Sequence, residues 1–373
     1  MRFLTCAYIL AFALAGMARP SIAKDPARTE SGRSPTELVE QLAHESYALR
    51  ERARIELERR DASALEALEA GLSSDDLEVR YHCERLLTDV REREMQRRLD
   101  AFVKDADRGK EHDFPAWQLT REILGDSAAS RELYVEMYRA ESDTLKMLEG
   151  KEEAIPAHVD ARARFLQRRT RGLYQAPLDI GNIAALLLAA GSQEGKLAPT
   201  GQSMMYQLCY QQIFRDAMAS DKSPLLRKLL GRYAATTDSH AAYQGLTLMM
   251  QFNMTEEGVA TAERILSSEA TAASVKQYAV LTLAKLGDEK HTDLLQPLLD
   301  DKTVCTQTRV NKIVYKTELR DVALFAMVHL AKQDPKKFGF DRFSPNPQMV
   351  ASVHTLGFEN DDKRAAAFED WIG

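Results

Sequence analysis

The sequence predicts an all-α protein, in the form of a right-handed α-α solenoid of stacked antiparallel helix pairs. The first observation is composition: 45% of the 373 residues are hydrophobic, 28% are charged and 7% are aromatic, which is typical of a globular, helix-rich chain. The second is a helical pattern that returns along the chain at intervals of about 30 to 45 residues, as expected of a repeat array.

The stretch Ser274–Asp301 has the pattern of one complete helix pair. Its first half carries an apolar helical stripe at three- and four-residue spacing, formed by Val275, Ala279, Leu283 and Leu286. Gly287 is expected to end this helix in the left-handed conformation, and Asp288 is expected to cap the next one. The second half carries another stripe, formed by Leu294, Leu295, Leu298 and Leu299. Because a lone pair would leave both stripes in water, such pairs are expected to stack.

The first helix of that pair has a recurring signature. An apolar residue is followed by Lys or Arg, then by a small residue four positions after the apolar one, and by an apolar residue four positions further on. The other copies are Leu49-Arg50-Ala53-Leu57, Val79-Arg80-Cys83-Leu87, Leu319-Arg320-Ala323-Met327 and a degenerate Ala241-Gly245-Met249. The small residue allows close helix approach, and the basic side chain can reach solvent or a neighbouring carboxylate.

These copies resemble HEAT repeats, whose units are helix pairs with this kind of first helix. The resemblance covers residues 36–105 and 236–335, whereas the middle third lacks the signature. The resemblance implies a right-handed helical solenoid. The order of segments along the chain is similar to that of exported bacterial HEAT-repeat proteins of unassigned role.

Residues 1–23 have the layout of a secretory signal peptide. Arg2 precedes an apolar core of about fourteen residues, and Pro20 precedes a small-x-small cleavage site at 21–23. A membrane anchor is the alternative, but spanning a bilayer needs about twenty apolar residues. The expected location of the mature protein is therefore secreted or periplasmic.

The charge and hydropathy of the chain exclude two classes of partner. The net charge is −6, and removal of residues 1–23 takes away two arginines and no acid, so the mature chain would repel nucleic acid. No later apolar run reaches eighteen residues, so no membrane insertion is expected after signal cleavage. The predicted partner is an unidentified protein.

The remaining chain is divided by composition and pattern. The predicted segments are a polar linker at 24–33, N-terminal HEAT-like helices at 34–105, divergent middle helices at 106–235, C-terminal HEAT-like repeats at 236–335, and a loop with a capping helix at 336–373. Helix starts are predicted at Ser34 with Glu37, Ser63 with Glu66, Asp75 with Glu78, and Thr255. The capping helix is expected to begin near Asp361 and to bury Ala365, Phe368 and Trp371.

The three cysteines that remain after cleavage are Cys83, Cys209 and Cys305. One disulfide with one free thiol is compatible with export, but Cys83 takes the small-residue position of a repeat helix, where burial is the simpler explanation. A disulfide framework is therefore not expected to hold the chain together, and whether two of the cysteines pair stays open.

The middle third contains three features of note. Residues 180–190, IGNIAALLLAA, predict a wholly buried helix that is too short to span a membrane, and 191–201 predict a flexible loop. A population of methionines and aromatics fits irregular core between helices, with a peptide groove as the alternative. Its members are Met204, Met205, Tyr206, Tyr210, Phe214, Met249, Met250, Phe252 and Met254.

No residue is predicted to be catalytic, cofactor-binding or metal-binding, and no cofactor is expected. The acidic-flanked histidine in Glu111-His112-Asp113 is predicted to lie on a surface loop, because consecutive residues point apart and cannot converge on a metal. The remaining histidines show neither HExxH nor i, i+4 pairing.

The sequence therefore predicts an exported, non-catalytic scaffold that binds another protein through a helical-repeat surface. One alternative is a small-ligand binder or enzyme in the divergent middle helices, marked by Arg168, Arg169, Arg171 and Tyr174 near the acids Asp160 and Asp179. Another is a structural envelope component that assembles with itself.

Overall fold

The computed structural model describes residues 32–171, 177–193 and 197–372. The predicted signal peptide and all but two residues of the predicted linker lie outside these ranges. Within them the protein is mostly helical, in agreement with the all-α class, and the strands form two short antiparallel pairs. Among the described residues, every helix is too short or too polar to cross a membrane.

The chain divides into two compact units, and the first ends at Arg98. Its described helices are α1 (Pro35–Glu40), α2 (Tyr47–Arg60), α3 (Leu65–Gly71) and the part of α4 (Leu77–Lys104) up to Arg98. The signature residues of both copies in this unit face its core, since Ala53, Leu57 and Cys83 are fully buried and Leu87 is nearly so. The apolar stripe predicted from helical spacing is therefore the packed face.

One of the three predicted helix starts in this unit is confirmed as stated. The Ser34 hydroxyl accepts from the Glu37 N–H, and the Glu37 carboxylate accepts from the Ser34 N–H at 2.7 Å, which forms the predicted capping box. The prediction at Ser63 is wrong, because its hydroxyl donates to the Arg60 carbonyl and α3 begins at Leu65. The third cap is Asp76 instead of Asp75, since its carboxylate accepts from the Glu78 N–H at 2.8 Å.

All three described cysteines are free, and Cys83 and Cys209 are buried. Cys83 lies where two helices approach closely: a Cβ added to Gly71 at the end of α3 would meet the Cys83 sulfur at 2.4 Å. The small-residue position of the signature thus serves close helix packing, as predicted.

The second unit, Leu99–Gly373, holds the remaining helices. They are α5 (Trp117–Leu124), α6 (Ala128–Met147), α7 (Ile155–Arg171), α8 (Ile180–Gly191), α9 (Pro199–Cys209), α10 (Gln212–Met218), α11 (Ser223–Thr236), α12 (Ser239–Gln251), α13 (Thr255–Leu266), α14 (Ala273–Leu286), α15 (Thr292–Leu295), α16 (Leu319–Leu330) and α17 (Asp361–Ile372). Two series of neighbours run through this unit: α7, α9, α12, α14 and α16 contact one another in that order, and α6, α8, α11 and α13 do the same. Every residue of α8 is buried, which confirms the prediction for 180–190.

The predicted helix pair at Ser274–Asp301 is correct in its first half and wrong in its second. Helix α14 ends at Leu286, but Gly287 has φ −81°, so it is not left-handed; a Cβ there would lie 2.5 Å from the Leu283 carbonyl oxygen. Asp288 does cap the next turn, by accepting from the Lys290 N–H. The second helix is broken into α15 between two 3₁₀ turns, because Pro297 lacks the N–H that a continuous helix needs. Of its four leucines, Leu295 alone is fully buried.

Residues 236–335 also contain a β-hairpin that the helical prediction missed. Strand β1 (Val304–Val310) pairs antiparallel with β2 (Ile313–Glu318), and Asn311 and Lys312 form the turn with φ of 48° and 72°. Its Val- and Thr-rich residues with an Asn at the turn are a hairpin signal in the sequence. A shorter pair, β3 (Pro345–Asn346) and β4 (Val350–Ala351), follows.

Two further expectations about helix starts and faces are corrected. Thr255 is the first residue of α13 and not its cap, which is Met254. Helix α17 begins at Asp361 as predicted, and Phe368 and Trp371 are half-buried, with the Trp371 ring 5.6 Å from that of Phe338. Ala365 is exposed, however, and the buried residues of the helix are Arg364 and Ala367. A guanidinium therefore lies on the face that was expected to be apolar.

Candidate protein-binding surface

Side chains from α9 with its C-cap residue, α12 and α14 form a partly exposed aromatic and amide surface. We call it the tyrosine surface, and its members are Gln207, Tyr210, Tyr243 and Tyr278. Tyr243 is 38% exposed, whereas Tyr210 and Tyr278 are half-buried. The surface therefore presents one exposed ring beside two half-buried rings.

The tyrosines are held in place by contacts between helices. The Tyr243 and Tyr278 rings lie 5.6 Å apart between centroids at 39°. The Tyr210 hydroxyl donates to the Gln244 carbonyl at 3.2 Å, and the Gln244 amide donates to the Tyr243 hydroxyl at 3.3 Å. Asp238 fixes the start of α12, since its carboxylate accepts from two N–H groups of the first turn. The rings are thus pre-positioned before any ligand arrives.

The other end of the tyrosine surface borders a polar cleft. The Gln167 amide donates to the Gln207 side chain at 2.8 Å and to the Met204 carbonyl at 3.2 Å, which joins α7 to α9. The cleft has a volume of about 350 Å³ and is lined by Gln167, Pro199, Thr200, Ser203, Met204, Gln207 and His240. On α7, the guanidinium of Arg162 lies 4.9 Å from the centre of the Phe165 ring.

Burial keeps the half-buried tyrosines neutral. It raises the pKa of Tyr210 to about 12, and it also raises the pKa of Tyr278. Both hydroxyls therefore remain hydrogen-bond donors and acceptors at any physiological pH. Rigid tyrosines with an apolar ring and a polar tip contribute much of the affinity of protein interfaces, so this surface has the chemistry of a protein-binding site.

The predicted basic cluster of the middle helices lies only partly within the described residues. Asp179 caps α8 in a capping box with Asn182, and Asp160 forms an ion pair with Arg164. Arg169 lies 5.6 Å from the Phe165 ring, and Arg168 is exposed. The Arg171 side chain and Tyr174 lie outside the described residues.

The population of methionines and aromatics is mostly core, as predicted. The fully or nearly fully buried members are Met205, Tyr206, Phe214, Met249, Met250 and Met254. Three members are half-buried: Met204 lines the cleft, Tyr210 lies at the tyrosine surface, and the Phe252 ring lies 6.0 Å from that of Phe214. Packing explains the degenerate signature copy as well, since a Cβ on Gly245 would meet the Tyr206 hydroxyl oxygen at 2.6 Å.

His112 is not a freely exposed loop residue. Its ring packs 5.5 Å from the Phe102 ring, and its Nε2 lies 3.1 Å from the Asp105 carboxylate, while Glu111 and Asp113 are exposed. The loop prediction is correct for the backbone and for its two acids, but the histidine side chain is tied to α4 and its C-terminal turn. In the described part of the chain, no three His, Cys, Asp or Glu side chains are grouped so that they could hold a metal ion.

A buried polar cluster in the middle helices had no counterpart in the sequence prediction. Glu141 interrupts α6 with φ −145° and ψ 42° and is 4% exposed. Its carboxylate accepts from the Arg162 guanidinium at 2.8 Å, from the Asn182 amide at 2.7 Å and from the Thr144 hydroxyl at 3.0 Å. Because three donors from three helices satisfy this carboxylate, the cluster fixes α6, α7 and α8 relative to one another.

Comparison with protein-family models and with curated proteins finds no match. Among solved structures, the chain is similar to a crystal structure of an engineered protein, with 13% identity and a TM-score of 0.27 over 92% of this chain and 100% of that one. A similarity at that TM-score carries no argument about fold or function.

Proposed function

We propose that this protein is an exported scaffold that binds another protein through one face of a HEAT-like, right-handed α-α solenoid. The support for the solenoid is the order of helix neighbours in the second unit, where successive helices contact the next but one or two along the chain. The signature residues fill the contacts between neighbouring helices, for example at Gly245 and Tyr206. Export rests on residues 1–23 alone.

The observation that carries the binding function is the pair Tyr243 and Tyr278. These rings contact each other from neighbouring helices at 5.6 Å, and Tyr243 remains 38% exposed. A pre-positioned aromatic pair costs little entropy when it is covered, which is the property of an interface hot spot. The partner is expected to be a folded protein or a peptide that covers α12 and α14 together.

The test begins with the mature protein as bait in envelope extract, and continues with the purified partner by calorimetry. Tyr243→Ala and Tyr278→Ala are each expected to weaken binding at least tenfold, because truncation of a hot-spot tyrosine costs about 2 kcal/mol or more. Tyr81→Ala is the matched control, since Tyr81 is 59% exposed and lies in the first unit. Unchanged affinity in both variants, or a monodisperse monomer that recovers no specific partner, contradicts the proposal.

The polar cleft beside Gln207 favours the small-ligand alternative, because its lining combines amide, hydroxyl and imidazole groups. A small polar ligand bound there would be lost in Ser203→Trp, which fills the cleft, while Tyr243→Ala would leave it bound. The self-assembling alternative predicts an oligomer in size-exclusion chromatography with light scattering.

A further inference from the structure

The hairpin of β1 and β2 has one backbone edge that is open to a further strand. Val310 and Ile313 pair directly across the two-residue turn, so their N–H and carbonyl groups bond to each other. Along an antiparallel ladder, residues whose backbone groups point towards the partner strand alternate with residues whose backbone groups point away from it. The N–H and carbonyl of Lys316 therefore point outward, away from β1. The structure agrees with this alternation, because Lys316 exchanges two hydrogen bonds of 3.2 Å with Phe358.

By the same alternation, Gln307 and Arg309 face outward from β1. Both residues are exposed, and neither their N–H groups nor their carbonyls have a partner within residues 32–171, 177–193 and 197–372. An unpaired edge of this kind can accept an extended segment through main-chain hydrogen bonds. The β2 edge is already occupied at Lys316, so β1 is the side at which a strand can be added.

The charge of the hairpin selects the kind of strand. Residues 304–318 contain Arg309, Lys312 and Lys316 and a single acid, Glu318, although the whole chain has a net charge of −6. Glu318 forms ion pairs with Arg320 and Arg364, whereas no carboxylate of the described chain forms an ion pair with the three basic side chains of the hairpin. A second copy of the hairpin would place cations against cations, whereas an acidic strand would neutralise them.

We propose that the outer edge of β1 binds an extended acidic segment of the partner protein as an added strand. This inference deepens the proposed function and rests on it, because the hairpin adjoins the helix that carries Tyr278. The Cys305 thiol of β1 donates to the Ala273 carbonyl at the start of α14 at 3.5 Å. The partner would thus cover the tyrosines with one part and pair with β1 through another.

The experiment uses the mature protein and a fluorescein-labelled peptide of alternating Glu and Val, with an alternating Lys and Val peptide as the charge control. Binding is followed by fluorescence anisotropy at low ionic strength, where the Debye length is about 30 Å, and the site is located by hydrogen exchange. The expected result is binding of the acidic peptide and slowed exchange at the amides of Gln307 and Arg309. Added salt is expected to weaken this binding.

Two pairs of variants separate main-chain pairing from charge. Gln307→Pro removes an outward N–H without touching the β1–β2 ladder and is expected to weaken peptide binding at least tenfold, whereas Gln307→Thr keeps that N–H and the affinity. Arg309→Glu is expected to weaken binding similarly. Lys290→Glu makes the same charge change at a side chain that is 90% exposed elsewhere in the unit, and it is expected to have little effect.

The outcomes distinguish this proposal from the proposed function. No peptide binding up to about 1 mM, where the binding free energy is about −4 kcal/mol, overturns the β1 proposal. So does exchange protection at any other segment, equal binding of the basic peptide, or a dimer that Gln307→Pro dissociates. In each of those cases, loss of partner binding in Tyr243→Ala would still support the proposed scaffold. Binding of the acidic peptide at β1 with unchanged partner binding in Tyr243→Ala would support the hairpin site alone.

Discussion

Replacement of Arg364 by Leu tests whether one buried guanidinium holds α17 onto the rest of the second unit. The Arg364 side chain is 3% exposed and donates from Nε to Asp321 at 2.8 Å and from Nη2 to the other carboxylate oxygen at 3.3 Å. Asp321 itself is fully buried near the start of α16. After the replacement, the protein hydrogen bond left to that carboxylate is from the Glu318 N–H at 2.9 Å.

The expected cost follows from leaving a buried carboxylate without its cation. Breaking such a pair from one side costs about 3–5 kcal/mol. Burial raises the pKa of Asp321 to about 6 in the native protein. The hydrogen bonds from Arg364 and its positive charge lower that pKa, but burial has the larger effect. Without Arg364 the pKa of Asp321 in the folded state should rise further, so the variant can relieve the cost by protonation at low pH.

The sign of the pH dependence is fixed by that raised pKa. A carboxyl whose pKa is higher in the folded state contributes stability that is fully present below its unfolded pKa of about 3.9 and is lost as pH rises through the folded value. In the native protein this loss falls between about pH 4 and pH 6. In Arg364→Leu the loss of stability continues to higher pH. It grows by about 1.4 kcal/mol for each unit by which the pKa of Asp321 rises further.

The assay is urea unfolding at pH 5 and pH 8, followed by fluorescence and by hydrogen exchange in α17. Arg364→Leu should lose more stability at pH 8 than at pH 5, and Asp321→Asn combined with Arg364→Leu should recover part of the loss and remove the difference between the two pH values. A destabilisation below about 1 kcal/mol at pH 8, or one that is the same at both pH values, would refute the reasoning.

Two other predictions follow from packing. Gly181→Ala should lower the free energy of unfolding by about 1–3 kcal/mol, because the added Cβ would lie 2.2 Å from the Glu136 carbonyl oxygen of α6. Gly150→Ala is the control, since the atom nearest to its added Cβ is at 3.3 Å. Equal melting temperatures of the two variants would contradict the prediction. Burial raises the pKa of Cys83 to about 11, and burial together with nearby carboxylates raises the pKa of Cys305 to about 12. Neither thiol should therefore react readily with a thiol reagent at pH 8 before the protein unfolds. Rapid labelling of Cys83 in the native protein would contradict the prediction that this thiol is buried.

Local rules predicted the features that neighbouring residues control. The capping box at Ser34 and Glu37, the end of α14 at Leu286 and the burial of α8 all depend on residues within a few positions of one another. The same rules failed at Ser63, where the hydroxyl turned back to its own preceding turn. They also missed the hairpin at Val304–Glu318, because the repeat interpretation of 236–335 outweighed the Val- and Thr-rich composition around Asn311.

The tyrosine surface could have been anticipated in part. Tyr243 lies two residues after the degenerate signature copy begins, and Tyr278 lies three residues after the next one begins, so similar positions of successive repeats carry the same residue type. The sequence could not show that the two rings meet at 5.6 Å. That distance depends on how far α12 and α14 are offset along their axes, which no local pattern specifies.

By itself the sequence determined the helical class, a few helix boundaries, such as the start of α1 after Ser34 and the end of α14 at Leu286, and the apolar stripe of the signature helices, because hydrogen bonds and periodicity within a helix involve residues three or four positions apart. The tertiary structure decided which polar groups are buried. Glu141 with Arg162 and Asn182, and Asp321 with Arg364, are pairs from different helices, 21 to 43 residues apart in the chain. A charge enters the interior only when its partner arrives from elsewhere, so the packing of helices, and not the pattern within one, determines where such clusters form.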